Sequence, residues 1–402
     1  MTKVKIIIGA NYGDEGKGLL TNVFSREARE ESKRCLNILY NGGPQRGHTV
    51  DYKIGVKHVF HHFGSGTLAN ADTFFDKDFM VNPMEFVREY NELIELGYDP
   101  YVLIDPYCRV TIPYDMIVNR VVEEARGNER HGSVGMGIWE TVQRYETNRF
   151  TNRYLSLSRL SDEAFKDILK IDRDMAFLRL HEYGVTAPEP YLTMMNSDGL
   201  IEHYLDDFRK MQRHVHEYYD NYDFIGRYDI VIFEGGQGLA LDQDNIDEYP
   251  NVSASSTGSK IPIQRLADTQ FKYISEIEIV YVTRSYFTRH GAGRFPTECP
   301  VDEINPNIVD MTNIPNDYQG SIRYGTLDGP AMMRRISKDL QQTLSISSNM
   351  HPDFKHSLAV THLNYTDGEI CGNCTINQLA KGFNRLYTFE DKYGRKCGRP
   401  DL

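Results

Sequence analysis

The sequence predicts an α/β fold: a large, mainly parallel central sheet with helices on both faces. Two observations predict it. Short apolar, β-branched runs recur at Val4–Ile8, Leu36–Tyr40, Tyr101–Ile104, Ile230–Phe233, Ile277–Val282 and Leu358–Thr361. Each is bounded by Gly, Asp or Pro, as strands buried on both faces tend to be. Helical patterns alternate with them, at Asn82–Leu96, Pro113–Arg126, Asp162–Tyr183, Ile201–Asn221 and Pro330–Ser345. That alternation favours crossover connections and puts functional loops at the carboxyl ends of the strands. The 402 residues read as one domain over 1–402. A polar, Tyr- and Arg-rich, mostly helical insertion without a strong strand occupies about 145–227.

The formal net charge of −12 argues against nucleic acid as a partner, because a phosphate-binding face leaves a basic signature. No apolar stretch approaches the ~20 residues of a membrane span, and the first residues lack a signal-peptide pattern. A cytoplasmic protein is expected, in the host cytoplasm if its source is viral. The six cysteines are scattered, so no disulfide framework is expected. Cys371-Gly-Asn-Cys374 could be half of a metal or redox site. It has no second CxxC, so structural thiols are the expectation.

Taken in order, the first strand ends at Gly9 and a helix begins near Gly18, which makes "GANYGDEGKG" a strand-to-helix loop. Glycines at 13, 16 and 18 permit close backbone approach, and Lys17 supplies a cation for phosphate oxygens. The pattern departs from an ordinary P-loop. Its glycine spacing is too long, and Gly18 stands where a Mg²⁺-binding Ser or Thr belongs. Asp14 and Glu15 place carboxylates where phosphates would be repelled. Such an acid is tolerable if it binds Mg²⁺ or takes a proton from a second substrate. Alternatively, the loop is a plain turn whose acids favour the helix dipole. A second glycine-rich loop, "NGGPQRGHT", follows the second strand and carries His48.

These two loops resemble the phosphate loops of the adenylosuccinate synthetase family, usually QWGDEGKG and GGNNAGHT. The likeness continues in order through "KHVFHHFGSGTL" (57–68), "DPYCRVTIPYD" (105–115), "HGSVGMGIWE" (131–140), "FEGGQGLALD" (233–242), "YPNVSASST" (249–257), "YFTRHGAGRFPTE" (286–298) and "GSIRYGTLD" (320–328). His58, His61 and His62 therefore read as fold residues, not a metal cluster. The resemblance implies the family's P-loop-related fold and its ligase chemistry. A nucleoside triphosphate phosphorylates the 6-oxo group of a purine nucleotide, and the amine of L-aspartate then displaces phosphate. It implies Asp14 as base towards purine N1, with Lys17 and His48 stabilising the phosphoryl group in transit and His48 as general acid. Donor phosphates would lie on Gly13, Glu15, Gly16, Lys17, Gly18, Gly47, His48 and Thr49. The purine monophosphate would meet Asp14, Gln45, Arg46, Ser133, Val134, Gln237 and Ser253, with Arg149 or Arg144 reaching across a homodimer. Asn313, Ser321 and Arg323 would hold aspartate. Mg²⁺ would sit on Asp14 and the Gly47 carbonyl. The donor base would meet His362, Asn364, Gly398 and Pro400.

Two departures bear on substrate choice. The family's guanine-reading motif, usually TKLD, falls on Thr361-His362-Leu363-Asn364. An amide at the last position cannot offer two equivalent acceptors to guanine and can donate to an adenine nitrogen. One mismatched polar pair costs ~1–3 kcal/mol, so ATP or dATP becomes the expected donor in place of GTP. Around the acceptor, Pro44-Gln45-Arg46 replaces Asn-Asn-Ala, and Val134 and Met136 replace Thr and Arg. Both changes resemble the bacteriophage 2-aminoadenylosuccinate synthetase branch, which joins aspartate to dGMP, although many of its members have replaced the acid equivalent to Asp14. An ordinary enzyme acting on IMP with GTP is the alternative. A nucleotide-binding switch without catalysis would have no need of base, acid and aspartate clamp together.

Overall fold

The computed structural model describes residues 1–53, 55–147, 152–219, 222–308, 319–347 and 352–390. Arg149, Asn313, Gly398 and Pro400 lie outside the described residues. The architecture is built on nine strands: β1 (Thr2–Gly9), β2 (Cys35–Leu39), β3 (Asp72–Phe75), β4 (Val102–Ile104), β5 (Val215–Glu217), β6 (Ile230–Gly238), β7 (Ile274–Arg284), β8 (Asp353–Thr361) and β9 (Arg385–Thr388). Their spatial order is β9-β8-β7-β1-β6-β2-β3-β4-β5. Every pairing is parallel. β1 holds the centre, with Ile6, Ile7 and Ile8 wholly buried. An apolar strand without alternation is what a sheet covered on both faces requires.

Helices α1 (Lys17–Glu30), α2 (Pro83–Glu95), α3 (Pro113–Arg126), α4 (Ile138–Thr147), α5 (Asp162–Glu182), α6 (Asp198–His214), α7 (Lys260–Asp268) and α8 (Gly329–Ser347) provide the covering layers. Each starts or ends where local chemistry dictates. Asn82 caps α2, its side chain accepting the amides of Met84 and Glu85, and Pro83 opens the first turn.

The insertion corrects one expectation. The predicted helix over Ile201–Asn221 stops at His214, and the chain continues as β5, which extends the sheet beside β4. Three residues are too short a run for alternation to register. The same brevity hid β3. Within the insertion, α5 packs on α3 and α6 on α2. Polar bonds brace the insertion, with Arg179 of α5 and Tyr183 just beyond it meeting Glu140 of α4 at 2.9 and 3.1 Å. Arg144, considered for a reach across a dimer, is buried instead. Its guanidinium grips Asp115 and donates to Asn152 and the Val110 carbonyl. A guanidinium removed from water needs that full set of acceptors.

The three histidines serve the fold. His58 and the amides of His61 and His62 meet buried Glu89, and His62 Nε2 accepts the amide of Asn82.

Candidate active site

Because all nine strands run the same way, their carboxyl ends share one edge, and the loops there enclose a cavity of about 520 Å³. Asp14, Gln45, Gly47, His48, Ser133, Val134, Gln237 and Ser253 line it. These residues come from five separated stretches of sequence and include most of the positions the resemblance implied for the purine monophosphate.

The first loop resolves its own oddity. Asp14 and Glu15 point to different places. The Glu15 carboxylate is buried inside the turn, accepting the amides of Asn11 (3.0 Å) and Gly13 (2.8 Å) and the ammonium of Lys17 (2.9 Å). Burial works against its charge, but Lys17 and the two amides outweigh burial and hold it below the usual carboxylate range. The expectation that Glu15 lies among donor phosphates is corrected for its side chain, which is the turn's internal fastener. Lys17 is likewise buried against it. Asp14, at φ 58°, faces the cavity, with Oδ2 3.3 Å from His290 Nε2. Its carbonyl accepts from Arg284 at 2.5 Å.

His48 stands at the start of a hairpin strand, His48–Lys53, whose Thr49 pairs with Val59. Its Nδ1 meets Glu234 Oε1 at 2.5 Å, which assigns the Nδ1–H to that carboxylate and aims Nε2 into the site. Burial lowers the His48 pKa, and the Arg46 and Lys17 cations add to this against the opposing pull of Glu234. Glu234 ends the apolar run of β6 and is wholly buried. Burial alone would raise it, yet Arg46, His48 and the Ser65 donors hold it at about 2. Arg46, expected on the purine monophosphate, also lines the cavity; its guanidinium donates to the carbonyls of His61 (3.1 Å) and Phe63 (2.6 Å) and lies 3.8 Å from Glu234.

On the opposite wall, Ser133 donates its hydroxyl to Asn119 at 2.7 Å, and Ser253 meets Gln237 at 3.4 Å and Ser255 at 2.9 Å. Arg323, expected to hold aspartate, is paired within the chain. Its fork grips Glu298, and Nη1 donates to the carbonyls of Gly291 and Gly293 at 3.2 and 3.0 Å. Glu298 thus sits where an aspartate carboxylate was expected. Ser321 is exposed nearby in sequence. At the end of β8, Thr361 bonds the Glu15 carbonyl at 2.7 Å, joining the base motif to the first loop. Asn364 is exposed, and the His362 ring stacks on Tyr365 at 6.3 Å. Cys371 and Cys374 are half-buried, and no group of three or more metal-type side chains occurs among the described residues.

The adenylosuccinate synthetase family model matches residues 6–348, most of the chain and all of the loops just described except the β8 motif. The chain belongs to the adenylosuccinate synthetase family. Relatives include the adenylosuccinate synthetase of Prochlorococcus marinus, 30% identical over 314 residues, covering 76% of this chain and 66% of that protein. That of Nostoc sp. is 29% identical over 299 residues, covering 73% and 62%. The chain thus spans about two thirds or less of the length of such relatives. Two solved structures share the adenylosuccinate synthetase fold. The fully ligated enzyme of Plasmodium falciparum matches with a TM-score of 0.62 at 20% identity, over 90% of this chain and 77% of that one. A cyanophage S-2L succinoaminodeoxyadenylate synthetase, bound to dGMP and dATP, matches with a TM-score of 0.62 at 15% identity, over 98% and 93%.

Sequence reasoning missed Glu234, His290 and Glu123 as site residues. Glu234 carried a readable signal, a carboxylate closing an uninterrupted apolar strand. His290 and Glu123 carried none, because only folding brings them to Asp14 and to the 131–133 turn.

Proposed function

We propose that the protein is a purine-nucleotide:L-aspartate ligase, and that its acceptor is dGMP with ATP or dATP as donor. The observation that carries the ligase reading is the pairing of a cavity-facing carboxylate, Asp14, with a buried His48–Glu234 dyad in one cavity. Asp14 takes the N1 proton of the 6-oxopurine, leaving the electron pair to make O6 nucleophilic; O6 attacks the donor's γ-phosphorus as the bond to the β–γ bridging oxygen breaks, and the nucleoside diphosphate leaves with that electron pair. His48, its ring orientation fixed by Glu234, meets the charge gathering on the moving phosphoryl group. The aspartate amine then forms the C6–N bond, phosphate leaves with the C6–O electrons, and the amine gives up its proton to the departing phosphate. Aspartate's carboxylate would displace Glu298 from the Arg323 fork, a like-for-like exchange.

Mg²⁺ fits this site. Asp14 and Gly47 both line the cavity, and Mg²⁺ is commonly held by one or two carboxylates plus substrate phosphate oxygens. When bound it would neutralise charge on those oxygens. A homodimer is proposed from family membership.

Substrate choice rests on the exposed Asn364 amide, which replaces the guanine-reading carboxylate, and on the altered Pro44–Arg46 turn. The cyanophage structure, which this chain matches nearly end to end, carries dGMP and dATP. The second reading, IMP with GTP, is favoured by relatives named adenylosuccinate synthetase. Purified protein with Mg²⁺, aspartate and each acceptor–donor pair decides between them. We expect turnover of dGMP with ATP or dATP, and Asn364→Asp should move donor preference towards GTP by tenfold or more. Turnover of IMP with GTP, and none of dGMP with an adenine nucleotide, would sink the first reading.

A further inference from the structure

One buried carboxylate gathers the turn that carries Ser133. Glu123 of α3 is 1% exposed. Its oxygens accept the amides of His131 (3.4 Å), Gly132 (3.0 Å) and Ser133 (3.2 Å), and Arg126 donates to it from the next helical turn. Asn119, one helical turn earlier, accepts both the Ser133 hydroxyl and the Gly137 amide, at 2.7 and 3.3 Å. The opposite side of the turn is held as well. Asn251 donates to the His131 carbonyl at 3.1 Å, and Gln319 to the Gly132 carbonyl at 2.8 Å.

We propose that Glu123 is the positioning residue of the monophosphate loop, taking the amides of 131–133 so that the phosphate is received by those of Val134 and Met136. The inference rests on the assignment of this loop to the acceptor's phosphate under Proposed function. An N–H already given to a carboxylate has no second proton for a phosphate oxygen, and the Ser133 hydroxyl has given its proton to Asn119. Ser133 therefore shapes the loop, and the phosphate falls to the next backbone donors along the turn. A free anion-binding turn would lose entropy on closing around its ligand. This one is closed beforehand by a carboxylate of its own chain.

Calorimetric titration of the full-length chain tests this with dGMP, deoxyguanosine and ATP, and with IMP and inosine as a parallel pair. Glu123→Gln keeps the side-chain shape but turns an NH₂ towards the amides. It should weaken the monophosphate that the wild type binds by tenfold or more, while the matching nucleoside and ATP change less than twofold. Asn119→Ala should show the same split at smaller size, and it keeps the test valid if Glu123→Gln fails to fold. Equal weakening of nucleotide and nucleoside would make Glu123 a general wall residue and overturn the proposal, as would unchanged monophosphate binding in both variants. A wild type that binds nucleoside as tightly as monophosphate overturns the loop's assignment itself, and this inference with it.

Discussion

Gly18 shows how much one missing atom can decide. A Cβ there would fall 2.7 Å from the His48 Cβ and 2.9 Å from the Ser65 hydroxyl oxygen, closer than side-chain atoms approach. The departure from an ordinary P-loop is thus the condition for seating His48 against α1. Gly18→Ser, which restores the familiar motif, should destabilise the protein by about 2 kcal/mol and reduce turnover at least a hundredfold. Thermal melting and steady-state turnover measure the two, and a Gly18→Ser enzyme with full turnover would refute the account. Asp14 and His48 were legible because each sits on a glycine-rich turn after a predicted strand. Glu15 was not, since a carboxylate's direction within a turn depends on which amides the turn leaves pointing inward. Arg46 was legible only in part: sequence shows a cation beside the site but not the carbonyls that hold it.

At the scale of elements, short continuous apolar runs marked six of the nine strands, and glycines marked the loops after β1 and β2. The two three-residue strands and the four-residue β3 and β9 divided on chance composition, because so short a run carries no period. The insertion had no motif, and the structure explains why. It contributes Tyr183 to the cavity wall but otherwise works by bracing α3 and α4, the helices that flank the 131–137 turn. Arg144, with Asp115, holds that bracing together from inside. Arg144→Met should cost about 3–5 kcal/mol, the cost of leaving a buried carboxylate without its partner. A fall in the urea midpoint with unchanged slope would register it. A loss under 1 kcal/mol would mean that Arg179, 3.8 Å from Asp115, takes over the pairing.

At the scale of the whole molecule, the parallel sheet is what turns scattered motifs into one site. The two glycine-rich loops and four further segments, at 131–140, 233–242, 249–257 and 286–298, line one cavity because every strand arrives in the same direction. The order of the strands was not readable. Nothing in residues 2–9 says that their neighbours are 230–238 and 274–284, and long-range parallel pairing leaves no local trace.

That order has a consequence for how the chain comes into being. The strand made first occupies the middle of the sheet, so during synthesis it must wait for more than two hundred residues before either flank exists. Helices can form early, and the apolar cluster of residues 39–215 contains no residue of β1, but the cluster around β1 cannot close until β7 has left the ribosome, and closure of such distant pairs is slow. In nascent chains arrested short of residue 270 the β1 segment should remain protease-sensitive, and in those extended beyond β8 it should become resistant. A resistant fragment ending near residue 228 would show that β1 finds another partner first. Until then, the three isoleucines of β1, wholly buried in the finished protein, have no sheet to enter.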